Sequence, residues 1–187
     1  NASDAIDKLC YKSLTDENVG LKREDFRITI HADQDNRLLT VSDNGIGMDE
    51  NDLENNLGII ASSGTYQFRQ EVGKDNEDVD IIGQFGVGFY SAFMVSGQIT
   101  VITKKYGNGQ AYRWESDGAD GYTITPCEKE GVGTDIIMHI KPDGDEEDYS
   151  EFLQEYTLRN LVKKYSDYIR WPIRMEVTKS RKKEDSP

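Results

Sequence analysis

Apolar residues recur along this chain at two different periods, and the periods divide it into elements. Ala2, Ile6, Leu9 and Cys10 fall on one stripe at about 100° per residue, which predicts a helix over residues 1–14. Asn1, Asp4, Ala5 and Lys8 share a different face of that helix. Residues 26–31 alternate strictly and predict a strand, with 37–42 as its antiparallel partner leading straight into Asp43. Asp49 suits the N-cap of a short helix that ends near Leu57 and Gly58, where a glycine fits the C′ position. Strand patterns return at 98–103, 111–115, 122–125 and 134–140, separated by Gly, Asn and Asp turns. Leu158, Leu161, Val162, Tyr165 and Ile169 form a helical stripe that stops before Pro172, and 173–177 supplies a last strand. The order is helix, hairpin, helix, polar segment, helix, strand meander, helix, strand. It predicts an α+β fold, a two-layer sandwich with helices on one face of a mainly antiparallel sheet.

Two glycine motifs interrupt the periodic segments. In Asp43-Asn44-Gly45-Ile46-Gly47-Met48 a carboxylate leads into a tight turn. Asp43 is suited to accept a hydrogen bond from an amino group such as adenine's, and Gly45 and Gly47 let the backbone approach a flat ring. In Gly83-Gln84-Phe85-Gly86-Val87-Gly88-Phe89 the glycines open an apolar helical run reaching Val95. A helix start with free N–H groups is an anion site. Neither motif is a common phosphate loop. Gly73-Lys74 has Phe68 where a Walker A loop needs its first glycine and Asp75 after the lysine, while the G-x-G pairs end on Glu50 and Ser91 instead of a third glycine. Taken singly, each motif reads equally well as turn and close-packing glycines. Residues 61–82, polar and acidic between the two motifs, read as a lid or as a plain exposed loop.

Composition narrows the function classes. The 187 residues fit one domain, and a net charge of −13 argues against a nucleic-acid partner. The basic run Lys179-Ser180-Arg181-Lys182-Lys183 reads as the start of a solvated linker over 179–187. Cys10 and Cys127 are far apart and form no C-x-x-C pair, which fits a reduced, cytoplasmic setting. His31 and His139 sit inside strand patterns as core-edge residues, and no segment reaches the ~18 apolar residues of a membrane span.

These motifs together resemble the ninety-kilodalton heat-shock chaperone family, closest to its bacterial HtpG type. The likeness runs through residues 1–9, the Asp43–Met48 motif, Asn55-Asn56-Leu57-Gly58, Ser63-Gly64-Thr65, the Gly83–Ser91 motif and Lys164-Tyr165-Ser166-Asp167. It covers essentially the whole chain, as an N-terminal nucleotide-binding domain without its first strand and helix. The resemblance implies the Bergerat-type ATP-binding fold of the wider gyrase, chaperone, histidine kinase and mismatch-repair superfamily, with a lid over about 61–88. It also implies roles for particular residues. Asn1 matches the ligand of a Mg²⁺ that bridges the ATP phosphates, an amide oxygen being a hard donor. Asp43 matches the acceptor of the adenine amino group, with Thr134 assisting partly through water. Asp4, Ala5, Lys8, Ile46, Gly47, Met48 and Leu57 match pocket walls, and Asn56 a contact near the sugar and α-phosphate. Gly86, Val87, Gly88 and Phe89 match the backbone that wraps the phosphates.

The sequence departs from the family at Ser62 and Val132, where many relatives carry lysine and arginine. The family's general base is a glutamate four residues before the asparagine, and this sequence begins at Asn1. As written, the chain is therefore expected to bind ATP or ADP and to hydrolyse ATP barely or not at all. The resemblance implies a chaperone whose ATP cycle acts on unfolded or client proteins through other domains. The isolated domain is expected to be a monomer and the full-length protein a homodimer, with no nucleic-acid or membrane partner. The alternative is the catalytic domain of a sensor histidine kinase, which needs an acceptor histidine in an upstream helical hairpin.

Overall fold

Strict alternation of apolar and polar residues builds a sheet with one dry face, and that sheet is the frame of the protein. The computed structural model describes residues 1–58, 91–118, 121–146, 148–166 and 169–178. The expected lid over 61–88, the backbone of Gly86–Phe89 and the linker over 179–187 lie outside the described residues. Among the described residues there are seven strands: β1 (Ile28–Asp33), β2 (Leu38–Asp43), β3 (Ser96–Lys104), β4 (Ala111–Ser116), β5 (Thr123–Cys127), β6 (Gly133–Ile140) and β7 (Ile173–Thr178). Their order across the sheet is β5-β4-β3-β6-β2-β1-β7. Every neighbouring pair is antiparallel except β1 and β7, which run parallel.

Registers place Ile30, Val41, Ile136, Val101 and Trp114 side by side on one face of the sheet. Among the described residues, the helices packed on the sheet lie on that face. They are α1 (Ala2–Ser13), α2 (Glu50–Leu53), α3 (Glu155–Tyr165) and 3₁₀ turns at Ser91–Met94 and Tyr149–Leu153. One apolar cluster joins Leu53, Leu57, Phe93, Leu153 and Leu158 to Ile99, Val101, Trp114 and Met138. A second joins Ile6 and Leu9 of α1 to Phe26, Ile28 and Trp171. The opposite face is polar and open, with Thr29, His31, Thr40, Ser42, Arg174 and Glu176 lining a shallow groove. The α+β, one-sided expectation holds.

Several elements differ from the periodicity in detail: the helical run expected to reach Val95 is, in its described part, a 3₁₀ turn ending at Met94, and β3 begins at Ser96, two residues early. β1 begins at Ile28, two residues late, because the Arg27 N–H donates to Asn44 Oδ1 at 2.8 Å instead of joining a ladder. α2 is a single α turn that continues as a π turn over Glu54–Gly58, a wider spacing that still buries both Leu53 and Leu57. α3 stops at Tyr165, with Ser166 as its non-helical cap, so Ile169 meets the second cluster from the turn beyond it. Leu161, expected on the buried stripe, is 37% exposed. Among the described residues no helix is long and apolar enough to cross a membrane.

Candidate functional site

One transverse row of the sheet carries the polar centre of the dry face. Reading from β7 to β4, directly opposed residues are Ile173, Ile28, Asp43, Thr134, Thr103 and Tyr112. Three polar side chains therefore sit side by side in a row that is otherwise apolar or aromatic. Asp43 is 9% exposed, Thr134 4% and Thr103 fully buried. Such groups are costly to bury without partners. The two hydroxyls bond to each other at 2.8 Å, and Thr103 Oγ1 also reaches the Gly133 carbonyl at 3.2 Å and accepts from the Met48 N–H at 2.9 Å.

Asp43 has fewer donors. Among the described residues its carboxylate accepts one hydrogen bond, from the Gly45 N–H to Oδ1 at 2.9 Å. Burial pushes its pKa up to about 6, the Gly45 bond pulling the other way and the Asp135 charge adding to the rise. A buried carboxylate with acceptor capacity left over suits a ligand that brings its own donor.

The turn after β2 forms the wall beside Asp43, and α1 is seated directly on it. The Ile46 N–H donates to the Ala5 carbonyl at 3.0 Å, and the Ile46 carbonyl accepts from the Tyr106 N–H at 2.8 Å. This seating needs glycine on both sides of Ile46. A Cβ on Gly45 would overlap the Ala5 carbonyl, and Gly47 adopts φ +71° with its missing Cβ aimed into the Lys104 carbonyl. Asn44 locks the outer side, accepting from the Arg27 N–H and donating from Nδ2 to the Asp25 carbonyl at 2.7 Å. The far side of α1 is held by Trp171, whose Nε1–H donates to Asp7 Oδ1 at 2.9 Å while its ring meets Phe26 edge-on.

Of the residues expected at the site, Ala5, Asp43, Ile46, Gly47, Met48 and Thr134 are brought together by these contacts. Asn1 is the N-cap residue of α1, and its side chain makes no capping bond. Asp4 and Lys8 are exposed on the same helix, and Asn56 is exposed on the π turn. Leu57 is part of the main apolar cluster, against which Met48 packs. Asp49 and Asp52 close a reciprocal cap at the start of α2, and Lys105 bonds Asp49 at 3.3 Å and Asp52 at 2.8 Å, tying α2 to the end of β3.

The motif reading passed over Thr103 and Asn44. Thr103 did carry a signal, since it is in phase with Ile99 and Val101 and so had to point into the core. His31 and His139 lie on the opposite face, half-buried, His31 Nε2 at 2.8 Å from Thr178 Oγ1 and His139 Nε2 at 3.5 Å from Thr100 Oγ1.

Residues 13–130 match the family described as "Histidine kinase-, DNA gyrase B-, and HSP90-like ATPase". That span is more than half of the chain, and the chain belongs to this family. Within it, the chain is similar to "Chaperone protein HtpG" of Clostridium botulinum (strain 657 / Type Ba4), 56% identical over 186 residues, which are 100% of this chain and 30% of that protein. The same-named protein of Clostridium perfringens (strain 13 / Type A) is 56% identical over 184 residues, 98% of this chain and 29% of the relative. The chain thus spans under a third of the length of these curated relatives. Residues 1–12 and Thr134 fall outside the family match, whereas the alignment to the C. botulinum relative runs over 186 of the 187 residues.

Proposed function

We propose that this chain is the adenine-nucleotide-binding domain of a chaperone ATPase, folded as one unit, and that Asp43 reads the base. The observation that carries the proposal is the buried Asp43 carboxylate, with a single donor among the described residues and a floor of close-packed glycine backbone. An exocyclic amino group would complete its hydrogen bonding, and Ile46, Met48 and Thr134 would flank the ring. The Asn1 amide at the start of α1, which makes no capping bond, offers a hard oxygen donor that would suit a cation such as Mg²⁺, and the ion when bound would supply charge neutralisation to the phosphates. Asp4, Ala5 and Lys8 lie on the helix face leading away from it, and Asn56 on the far wall would approach the sugar and α-phosphate. Gly86–Phe89 would cover the phosphates.

In the whole protein this site would couple ATP binding and hydrolysis to a conformational cycle acting on client proteins. The similarity to HtpG chaperones along essentially the whole of this chain supports that reading over phosphotransfer to a histidine. A cytoplasmic, dimeric full-length protein that binds no nucleic acid fits the same picture, as does the net charge of −13. Calorimetric titration of ADP and ATP, with and without Mg²⁺, tests the proposal. One-site binding that tightens with Mg²⁺ is the expected outcome, and no heat with either nucleotide would refute it.

A further inference from the structure

We infer that the proton on Asp43 switches the class of purine its pocket accepts: ionised, the site takes a 6-aminopurine, and neutral, it takes a 6-oxopurine. The switch rests on the adenine reading above and adds a pH-dependent selectivity to that same site. Its basis is the unequal standing of the two carboxyl oxygens. Oδ1 accepts from the Gly45 N–H at 2.9 Å, and among the described residues no donor meets Oδ2. Oδ2 is therefore the oxygen left for a ligand.

In the ionised carboxylate Oδ2 only accepts. In the neutral acid the carbonyl oxygen is the better acceptor and stays with Gly45, so the proton sits on Oδ2 and makes that oxygen a donor. One atom changes its hydrogen-bonding sense while the backbone around it stays fixed. With position 6 of the ring at Asp43, an amino group donates to the ionised oxygen, and a carbonyl accepts from the protonated one. The crossed pairings set donor against donor or acceptor against acceptor in a buried place, where an unmet polar group is costly.

The surroundings bring this switch near neutral pH. Asp43 is buried, and burial favours the uncharged form. Of the charged groups about it, Asp135 on β6 adds to that preference, whereas the Asn1 α-amino group and Lys129 oppose it. Lys129 is itself paired with Asp135 at 3.3 Å. The other packed elements place little charge against it. β1 sets Ile28 opposite Asp43, β6 and β3 set Thr134 and Thr103 in the same row, and the turn over 44–48 has no titratable side chain. Lys105 is held by Asp49 and Asp52 at the start of α2, and Asp4 and Lys8 of α1 are exposed. The carboxyl titrates at about 6 as a result. Asp43→Asn is a permanent copy of the neutral acid, its amide oxygen taking the Gly45 N–H and its Nδ2 donating to the ligand at every pH.

The test is calorimetric titration of ADP and inosine diphosphate at about pH 8 and about pH 5, with circular dichroism to verify the fold. Both the unchanged chain and Asp43→Asn are titrated. The two ligands share one diphosphate, so its own titration cancels in the ratio of their affinities. One unit below the folded pKa about one molecule in ten keeps the ionised acceptor. The preference of the unchanged chain for ADP should therefore fall about tenfold or more between pH 8 and pH 5. In Asp43→Asn the ratio should be the same at both pH values and close to the low-pH ratio of the unchanged chain. If the unchanged chain unfolds at pH 5, the variant at pH 8 carries the test, with the same loss of preference expected. A ratio that does not move with pH in the folded, unchanged chain would overturn the switch while ADP binding stands. So would a folded Asp43→Asn that keeps the pH 8 preference of the unchanged chain. Failure of the unchanged chain to bind ADP at pH 8 would instead overturn the nucleotide reading, and the switch with it.

Discussion

Replacing Asp43 by Asn separates what the carboxylate does for binding from what it costs the fold. The folded pKa of about 6 lies above the unfolded value of 3.8, so the folded state holds this proton more tightly than the unfolded chain. The stabilisation from the protonated form is fully present below pH 3.8 and is lost as pH rises through 6. The shift corresponds to about 3 kcal/mol at most between the two limits. Asn is neutral at every pH and keeps an oxygen for the Gly45 N–H. Asp43→Asn should therefore raise the Tm of the ligand-free chain at pH 7.5, by roughly 2–10 °C at a few degrees per kcal/mol. The difference should shrink toward zero near pH 4. Nucleotide affinity should move the other way. Losing a charged acceptor in a buried hydrogen bond costs about 1.5–3 kcal/mol, or roughly 10- to 150-fold in the Kd for ADP. Thermal melts at the two pH values and one ADP titration read both effects. A variant less stable than the parent at both pH values, or one binding ADP with unchanged affinity, would refute the reasoning.

Other substitutions probe the supports of the site. Gly47→Ala forces a side chain into a left-handed backbone position against the Lys104 carbonyl and should cost about 2 kcal/mol or more in urea unfolding. Trp171→Phe removes the donor to Asp7 and part of a buried ring, so a loss of about 1–3 kcal/mol is expected by the same method. Lys105→Ala breaks ion pairs that are about a third exposed. It should cost less than about 1 kcal/mol, and raising the salt concentration should shrink that difference.

Alternation and helical phase made the strands, the one-sided sheet and the apolar stripe of α1 legible in the sequence, because burial on one face imposes a period of two and a helix stripe a period near 3.6. Pairing order was not legible. β6 inserts between β3 and β2, and β7 docks parallel to β1, because each edge is chosen by long-range apolar fit that no local pattern records. Asp43 and Thr134 could be singled out by resemblance, but their adjacency arises from the β2–β6 register. Asn44 escaped notice because its work is to satisfy two backbone groups on a turn 17 to 19 residues earlier. The end of α3 at Tyr165 was missed because an apolar stripe continues past it into a turn that reaches the same core.

The most direct measurement is a crystal structure of the 187-residue chain with ADP bound. The account predicts the adenine amino group within hydrogen-bond distance of an Asp43 oxygen, with the ring lying against the Ile46–Met48 turn. A nucleotide seated on the open face among His31, Thr40 and Arg174, with no ligand at Asp43, would contradict it.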